Sequence, residues 1–119
     1  MSMFDVFRIS GGAVSAQSQR LNVVASNLAN AETVAGPDGR PYKARQVVFE
    51  SQQVGGAASP GGTSVRVSTV VEDDTPGKRV HDPSRPLADA QGYVTQSNVN
   101  VVEEMVNMIS ASRSYQNNV

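Results

Sequence analysis

Few side chains in this sequence could do chemistry near neutral pH. His81 is the only histidine among 119 residues, and there is no cysteine. Asp82 follows His81 directly, so a Ser-His-Asp relay is formally conceivable. Such a relay needs a nucleophile on a strained strand-to-helix turn and an oxyanion loop, and no such segment accompanies His81. It reads as an ordinary loop histidine. Glu72-Asp73-Asp74 could be imagined to hold a cation, but no Asp-x-Asp-x-Asp-Gly spacing follows, and the run reads as the solvated end of a strand. The absence of cysteine removes disulfides, a thiol nucleophile and cysteine metal sites. The sequence therefore points to no catalytic residue, no metal ligand, no cofactor and no direct small-molecule ligand. A small metal-binding or hydrolytic domain centred on His81 is the weaker alternative.

The elements that would have to position chemistry are more informative than the chemistry. In the first thirty residues Phe7, Val14, Leu21 and Leu28 recur every seven positions, and Phe4, Gly11, Ser18 and Ala25 interleave with them. This is a heptad with bulky residues at one seam position and mostly small ones at the other. A helix over most of the stretch would be about 40 Å long. Its other faces carry Ser, Gln, Asn and Ala, with only Asp5, Arg8 and Arg20 charged. A helix lying on water usually shows a charged face, so this one is expected to be covered on several sides once assembled. Gly11-Gly12 weakens the helix by roughly 1 kcal/mol per glycine, and Gly11 also suits a tight helix crossing. The sequence leaves both roles open.

The far end repeats the pattern. Val102, Met105, Ile109, Ser112, Gln116 and Val119 follow three-and-four spacing, flanked by Val101, Met108 and Tyr115. Asn100 with Glu103 three residues on is a capping arrangement for this second helix. Two terminal heptad helices are expected to pack on each other, Leu21 and Leu28 against Met105 and Ile109.

Charge follows the same division. Of twenty-one charged residues, fifteen lie in residues 31–96, three in the first thirty and three in residues 97–119. The charge-poor ends resemble the buried part of an interface. A net charge of −1 argues against a nucleic-acid partner, which wants a basic field. No run of 18 apolar residues offers a membrane span, and the N-terminus lacks the basic segment and apolar run of a cleavable signal. With no Trp and six Phe and Tyr, any compact core is modest.

The middle reads as strands and turns. Pro37-Asp38-Gly39 is a turn, since Pro presets φ and Gly permits φ > 0. Tyr42–Phe49 reads as a strand, residues 50–64 as a glycine-rich loop, and Ser64–Asp73 as a half-buried strand. That second strand should carry Val65, Val67, Thr69 and Val71 on one face and Arg66, Ser68 and Val70 on the other. The two strands should pair as a hairpin. Pro83–Pro86 is extended and leads to a short apolar run ending at Val94.

Four blocks resemble a known family. Ser26-Asn-Leu-Ala-Asn-Ala31 is similar to a motif shared by bacterial flagellar rod and hook axial proteins. Val34-Ala-Gly-Pro-Asp-Gly-Arg-Pro-Tyr-Lys-Ala-Arg-Gln-Val-Val-Phe49 narrows the likeness to a proximal-rod member. Pro86-Leu-Ala-Asp-Ala-Gln-Gly-Tyr-Val94 and the stretch from Asn98 to Gln116 agree with it, so the likeness covers essentially the whole chain. The resemblance implies a structural, non-enzymatic subunit exported through the flagellar type III apparatus without a cleaved signal. Its partners would be itself, other rod proteins and the basal-body base, and its place the rod within the periplasm. An export adaptor or chaperone is a further alternative. Family members continue the second helix beyond Tyr115, whereas this chain stops at Val119 in mid-heptad, so it is read as shortened.

Together these readings give an α+β chain. Residues 1–33 form an N-terminal coiled-coil helix, 34–97 a β and loop segment, and 98–119 a C-terminal helix. The expected assembly interface comprises Phe7, Gly11, Val14, Ser18, Leu21, Ala25 and Leu28 with Val102, Met105, Ile109 and Ser112. Both helices are expected to be disordered in the free chain, with residues about 40–95 folded as a small β-rich unit.

Overall fold

A computed structural model describes residues 3–53 and 62–118. Helix α1 spans Met3–Ala29, strand β1 Arg45–Gln53, β2 Thr63–Glu72, β3 Arg79–His81, β4 Tyr93–Thr95, and helix α2 Val101–Asn117. This is an α+β chain with two terminal helices and two antiparallel strand pairs, β1-β2 and β3-β4. Its dimensions are 64 × 25 × 16 Å and its radius of gyration is 19.3 Å, against roughly 13 Å for a compact domain of this length. The molecule is a rod-like wedge built along α1.

α2 begins as its sequence dictates. The Asn100 side chain accepts from the Glu103 N–H at 3.1 Å, satisfying one of the four donors a helix start leaves unpaired. The turn at Gly36–Gly39 closes through the Gly39 N–H to the Gly36 carbonyl at 2.9 Å, with Gly39 at φ +72°.

The hairpin forms, with a difference in its faces. Opposite the consecutive residues Val48 and Phe49 stand Thr69 and Val67, so Ser68 is an extra residue in β2. Its hydroxyl donates to the Val48 carbonyl at 3.2 Å. A bulge of this kind breaks the strict alternation of a strand. Cross-strand partners share a face, so Val65, Val67 and Val70 stand with Val47 and Phe49, while Thr69 and Val71 turn to the other side. The expected grouping of Val65, Val67, Thr69 and Val71 assumed an unbroken period of two and fails at Ser68. Nor is β2 half-buried: only Ser64 is buried, and most of its other residues are exposed. β1 runs four residues beyond Phe49. Part of the expected glycine loop, residues 54–61, lies outside the described residues.

The buried core is not a separate β unit. Ala31, Ala44 and Val99 form it, with Tyr42 and Val101 packed against them, so it joins the segment after α1, the approach to β1 and the entry to α2. Small residues bury little apolar area, and buried polar side chains supply the remaining specificity. Ser97, fully buried, donates to the Ala31 carbonyl at 2.7 Å. Asn98 accepts from the Ala44 N–H at 2.6 Å and donates to the carbonyls of Asp73 and Thr75. Lys78 Nζ donates to the Val99 carbonyl at 3.0 Å. α1 packs against α2 and against both strands of the hairpin.

Candidate assembly interface

The residues with chemical potential come first. His81 faces Tyr93 across the β3-β4 pair, ring centroids 4.9 Å apart and edge to face. Asp82 accepts from the Ser84 hydroxyl at 2.7 Å rather than from the imidazole, so the serine and the aspartate pair directly and no relay is assembled. Asp73 is held by the Thr75 hydroxyl and N–H, which lower its carboxyl below the usual range. Asp89 lies low for a similar reason: the Tyr93 N–H favours its charged form most, desolvation opposes this, and the Gln91 N–H and Arg79 add to the lowering. Among the described residues no group of three or more His, Asp or Glu could hold a metal ion, and no helix is long and apolar enough to cross a membrane.

The polar centre of the molecule is Asn27, and its role was not legible from spacing. Its amide uses all four hydrogen-bonding positions. Nδ2 donates to the Arg45 carbonyl at 2.8 Å and to Glu104 Oε2 at 3.1 Å. Oδ1 accepts from the Tyr42 hydroxyl at 2.8 Å and the Arg45 N–H at 3.0 Å. The Tyr42 proton being committed there, the Ser26 hydroxyl 3.1 Å away donates to Tyr42. One side-chain amide thus pairs with both backbone groups of the first residue of β1, as a neighbouring strand would, and reaches the buried Glu104 of α2. Ser26-Asn27 is the junction that sets α1 against both the hairpin and α2.

Around that junction each helix shows two apolar faces. α1 buries Ala16, Val24 and Asn27, with Gly12 on the same side. A Cβ at Gly12 would collide with Ser64 Oγ and stand 3.1 Å from the Val65 carbonyl. Gly12, not Gly11, is therefore where a neighbouring element comes close within the chain. A Cβ at Gly11 would meet nothing within 4 Å. At 3.6 residues per turn, the heptad seam of α1 centres roughly 150° round the helix from this buried line. Along the seam Phe7, Gly11 and Ala25 are exposed and Val14, Ser18, Leu21 and Leu28 half-buried.

α2 buries Glu104 and Ala111, with Val101 and Met108 half-buried beside them. Its heptad seam lies roughly 100° away. There Val102 is 71%, Met105 54%, Val106 61% and Ile109 58% exposed, and Ser112 is half-buried. The two helices meet, and Asn27 joins Glu104 across them, while Met105 and Ile109 remain more than half exposed. Apolar spacing fits both faces of each helix, and the buried side was chosen by Asn27 and Glu104.

Comparison with known proteins decides what such a chain is. Residues 7–37 match the family described as flagella basal body rod protein, and residues 90–119 the C-terminal region of the flagellar basal body rod FlgEFG proteins. The flagellar basal-body rod protein FlgC of Escherichia coli O6:H1 is 58% identical over the whole chain, which spans 87% of that relative. FlgC of Salmonella typhimurium is 56% identical over the same shares. FlgC of Borreliella burgdorferi is 36% identical over 99% of the chain and 87% of its own length. The chain belongs to the FlgC family of flagellar basal-body rod proteins. It is a structural subunit of the rod, as the resemblance of its four blocks implied. In this FlgC-family chain the family-matched segments, 7–37 and 90–119, contain α1 almost entirely and α2 entirely.

Proposed function

We propose that this chain builds the proximal part of the rod by associating with itself and with other rod proteins through its terminal helices. The observation that carries this is the second apolar face of α2. Val102, Met105, Val106 and Ile109 stand open to solvent on a helix that is already packed along another side, and an isolated soluble protein seldom leaves such a contiguous stripe uncovered. The division of the chain follows. Residues 1–33 and 98–119 contribute a coiled-coil inner layer of a helical tube, with Phe7, Gly11, Val14, Ser18, Leu21, Ala25, Leu28, Val102, Met105, Ile109 and Ser112 at its seams. Residues 34–97 contribute the outer wall. Contacts that do not close on themselves generate helical polymers, and such a tube transmits torque across the periplasm from the basal-body base. Passage through the type III export apparatus without a cleaved signal fits an axial subunit assembled beyond the inner membrane. No catalytic role is assigned.

Replacing Ile109 by Glu tests the reading. The side chain is exposed in the single chain, so the purified variant should melt like the parent. In cells lacking the native protein it should fail to support motility. A normally motile strain carrying Ile109→Glu at ordinary expression would overturn the proposal.

A further inference from the structure

The chain has no cysteine and no tryptophan, so no thiolate competes for an oxidant and its exposed thioethers are the side chains most readily oxidised. Met105 is the one methionine among the residues placed at the helix seams, and it is 54% exposed. Met3 is also open, at 73%, but precedes the first seam residue. Met108 is half-buried on the side of α2 that carries Glu104 and Ala111. Residues three and four apart share a helix face, which places Met105 between Val102 and Ile109 with Val106 beside it, all three exposed. None of these aliphatic side chains can donate a hydrogen bond.

We propose that Met105 is a peroxide-sensitive modification site: it is oxidised to the sulfoxide in the free subunit, the sulfoxide bars entry into the rod, and incorporation shields it. The inference rests on the rod-subunit reading and adds a chemical control to the same surface. In the step itself the thioether sulfur attacks one oxygen of hydrogen peroxide. An S–O bond forms, the O–O bond breaks and water leaves, so sulfur gives up the two electrons that peroxide gains. A sulfoxide reductase drawing on a thiol reverses the change and returns the oxygen as water.

The two states of the subunit answer differently. In the free chain more than half of Met105 is open to water, which solvates the new oxygen, and the fold is not disturbed. At an interface the sulfoxide makes a flexible apolar side chain polar. Once water is expelled, Val102, Val106 and Ile109 leave its oxygen without a donor on its own stripe, and a buried acceptor without a partner opposes the contact. Met108 escapes because packing within the chain already limits access to its sulfur.

Hydrogen peroxide applied in parallel to the purified chain and to isolated basal bodies tests the shielding, with oxidation read at each methionine by mass spectrometry. In the free chain Met105 should be oxidised several-fold faster than Met108. In basal bodies Met105 should be oxidised several-fold more slowly than in the free chain. Equal rates at Met105 in the two preparations would overturn the proposal, as would Met108 reacting as fast as Met105 in the free chain. Exclusion is tested by Met105→Gln, which sets a permanent polar oxygen near the place of the sulfoxide, beside Met105→Leu. Both should melt like the parent, and Met105→Gln should lower motility several-fold more than Met105→Leu. Equal motility of the two would overturn the bar to entry. That result together with lost motility in Ile109→Glu would refute the modification and leave the rod reading intact, whereas normal motility in Ile109→Glu would sink that reading itself.

Discussion

Replacing Asn27 by Ala should be among the most damaging single changes to the folded chain. The substitution strips partners from four groups at once: the Arg45 N–H and carbonyl, the Tyr42 hydroxyl and the Glu104 carboxylate. A buried polar group left without a partner costs about 1–3 kcal/mol, and more when it is charged. Water can reach the Arg45 groups and the half-buried Tyr42, so their share is small. Glu104 is buried and carries the largest part. A net loss of about 3–4 kcal/mol follows, against the roughly 5–15 kcal/mol that holds a domain together. With so small a core, this chain stands at the lower end of that range. For a domain of this length the loss corresponds to a midpoint lower by about 10–15 °C, measured by far-UV circular dichroism during heating. Glu104→Gln is the informative companion, since it keeps an acceptor for Asn27 and removes the stranded charge. Asn27→Ala should cost about 1–2 kcal/mol less in the Glu104→Gln background. A midpoint within about 3 °C of the parent on the scale above, or an identical cost in the two backgrounds, would refute the central role given to this amide.

Other consequences are smaller and separable. Gly11→Ala should stabilise the free chain by up to about 1 kcal/mol through helix propensity, because the added methyl meets nothing, and Gly11→Leu should raise the melting midpoint by a similar amount yet abolish motility. Gly12→Val should lower stability by roughly 1–3 kcal/mol, the usual cost of overfilling a packed contact, visible in the same melting experiment. The charged forms of Asp73 and Asp89 are favoured in the folded chain, so their contribution is present above the usual carboxylate range and is lost as pH falls through their lowered values. Asp89→Asn should accordingly lower the neutral part of a stability–pH curve, leave its strongly acid end little changed and so flatten the acid limb. His81→Gln should leave motility and export intact, since among the described residues His81 meets Tyr93 and neighbouring loop atoms.

The sequence made the terminal helices, the Asn100 cap and the pairing of β1 with β2 legible, because each rests on a local pattern. It did not reveal β3 and β4, three residues each and separated by a long turn, because segments so short have no period to read. The bulge at Ser68 was equally hidden: one inserted residue exchanges the faces of Thr69, Val70 and Val71 without altering their composition. The heptads were visible, but their partners were not. A line of Phe7, Gly11, Val14 and Leu21 says that some neighbour fits there, and the C-terminal helix was the expected neighbour on assembly.

Asn27 settles which neighbour is which. A stripe of apolar side chains binds any apolar surface of suitable shape, so spacing alone cannot rank an intrachain partner above a second copy. A buried amide with four directional bonds accepts only one arrangement. By committing its own side of α1 to Arg45, Tyr42 and Glu104, it leaves Phe7, Gly11 and Ala25 of α1 and Val102, Met105 and Ile109 of α2 exposed. The polar residue that the pattern of hydrophobicity treats as an interruption is thus what separates folding from assembly. Folding uses Ala16, Val24, Asn27, Glu104 and Ala111, and Phe4, Phe7, Gly11, Val102, Met105 and Ile109 stay exposed, the surface the proposed assembly would use.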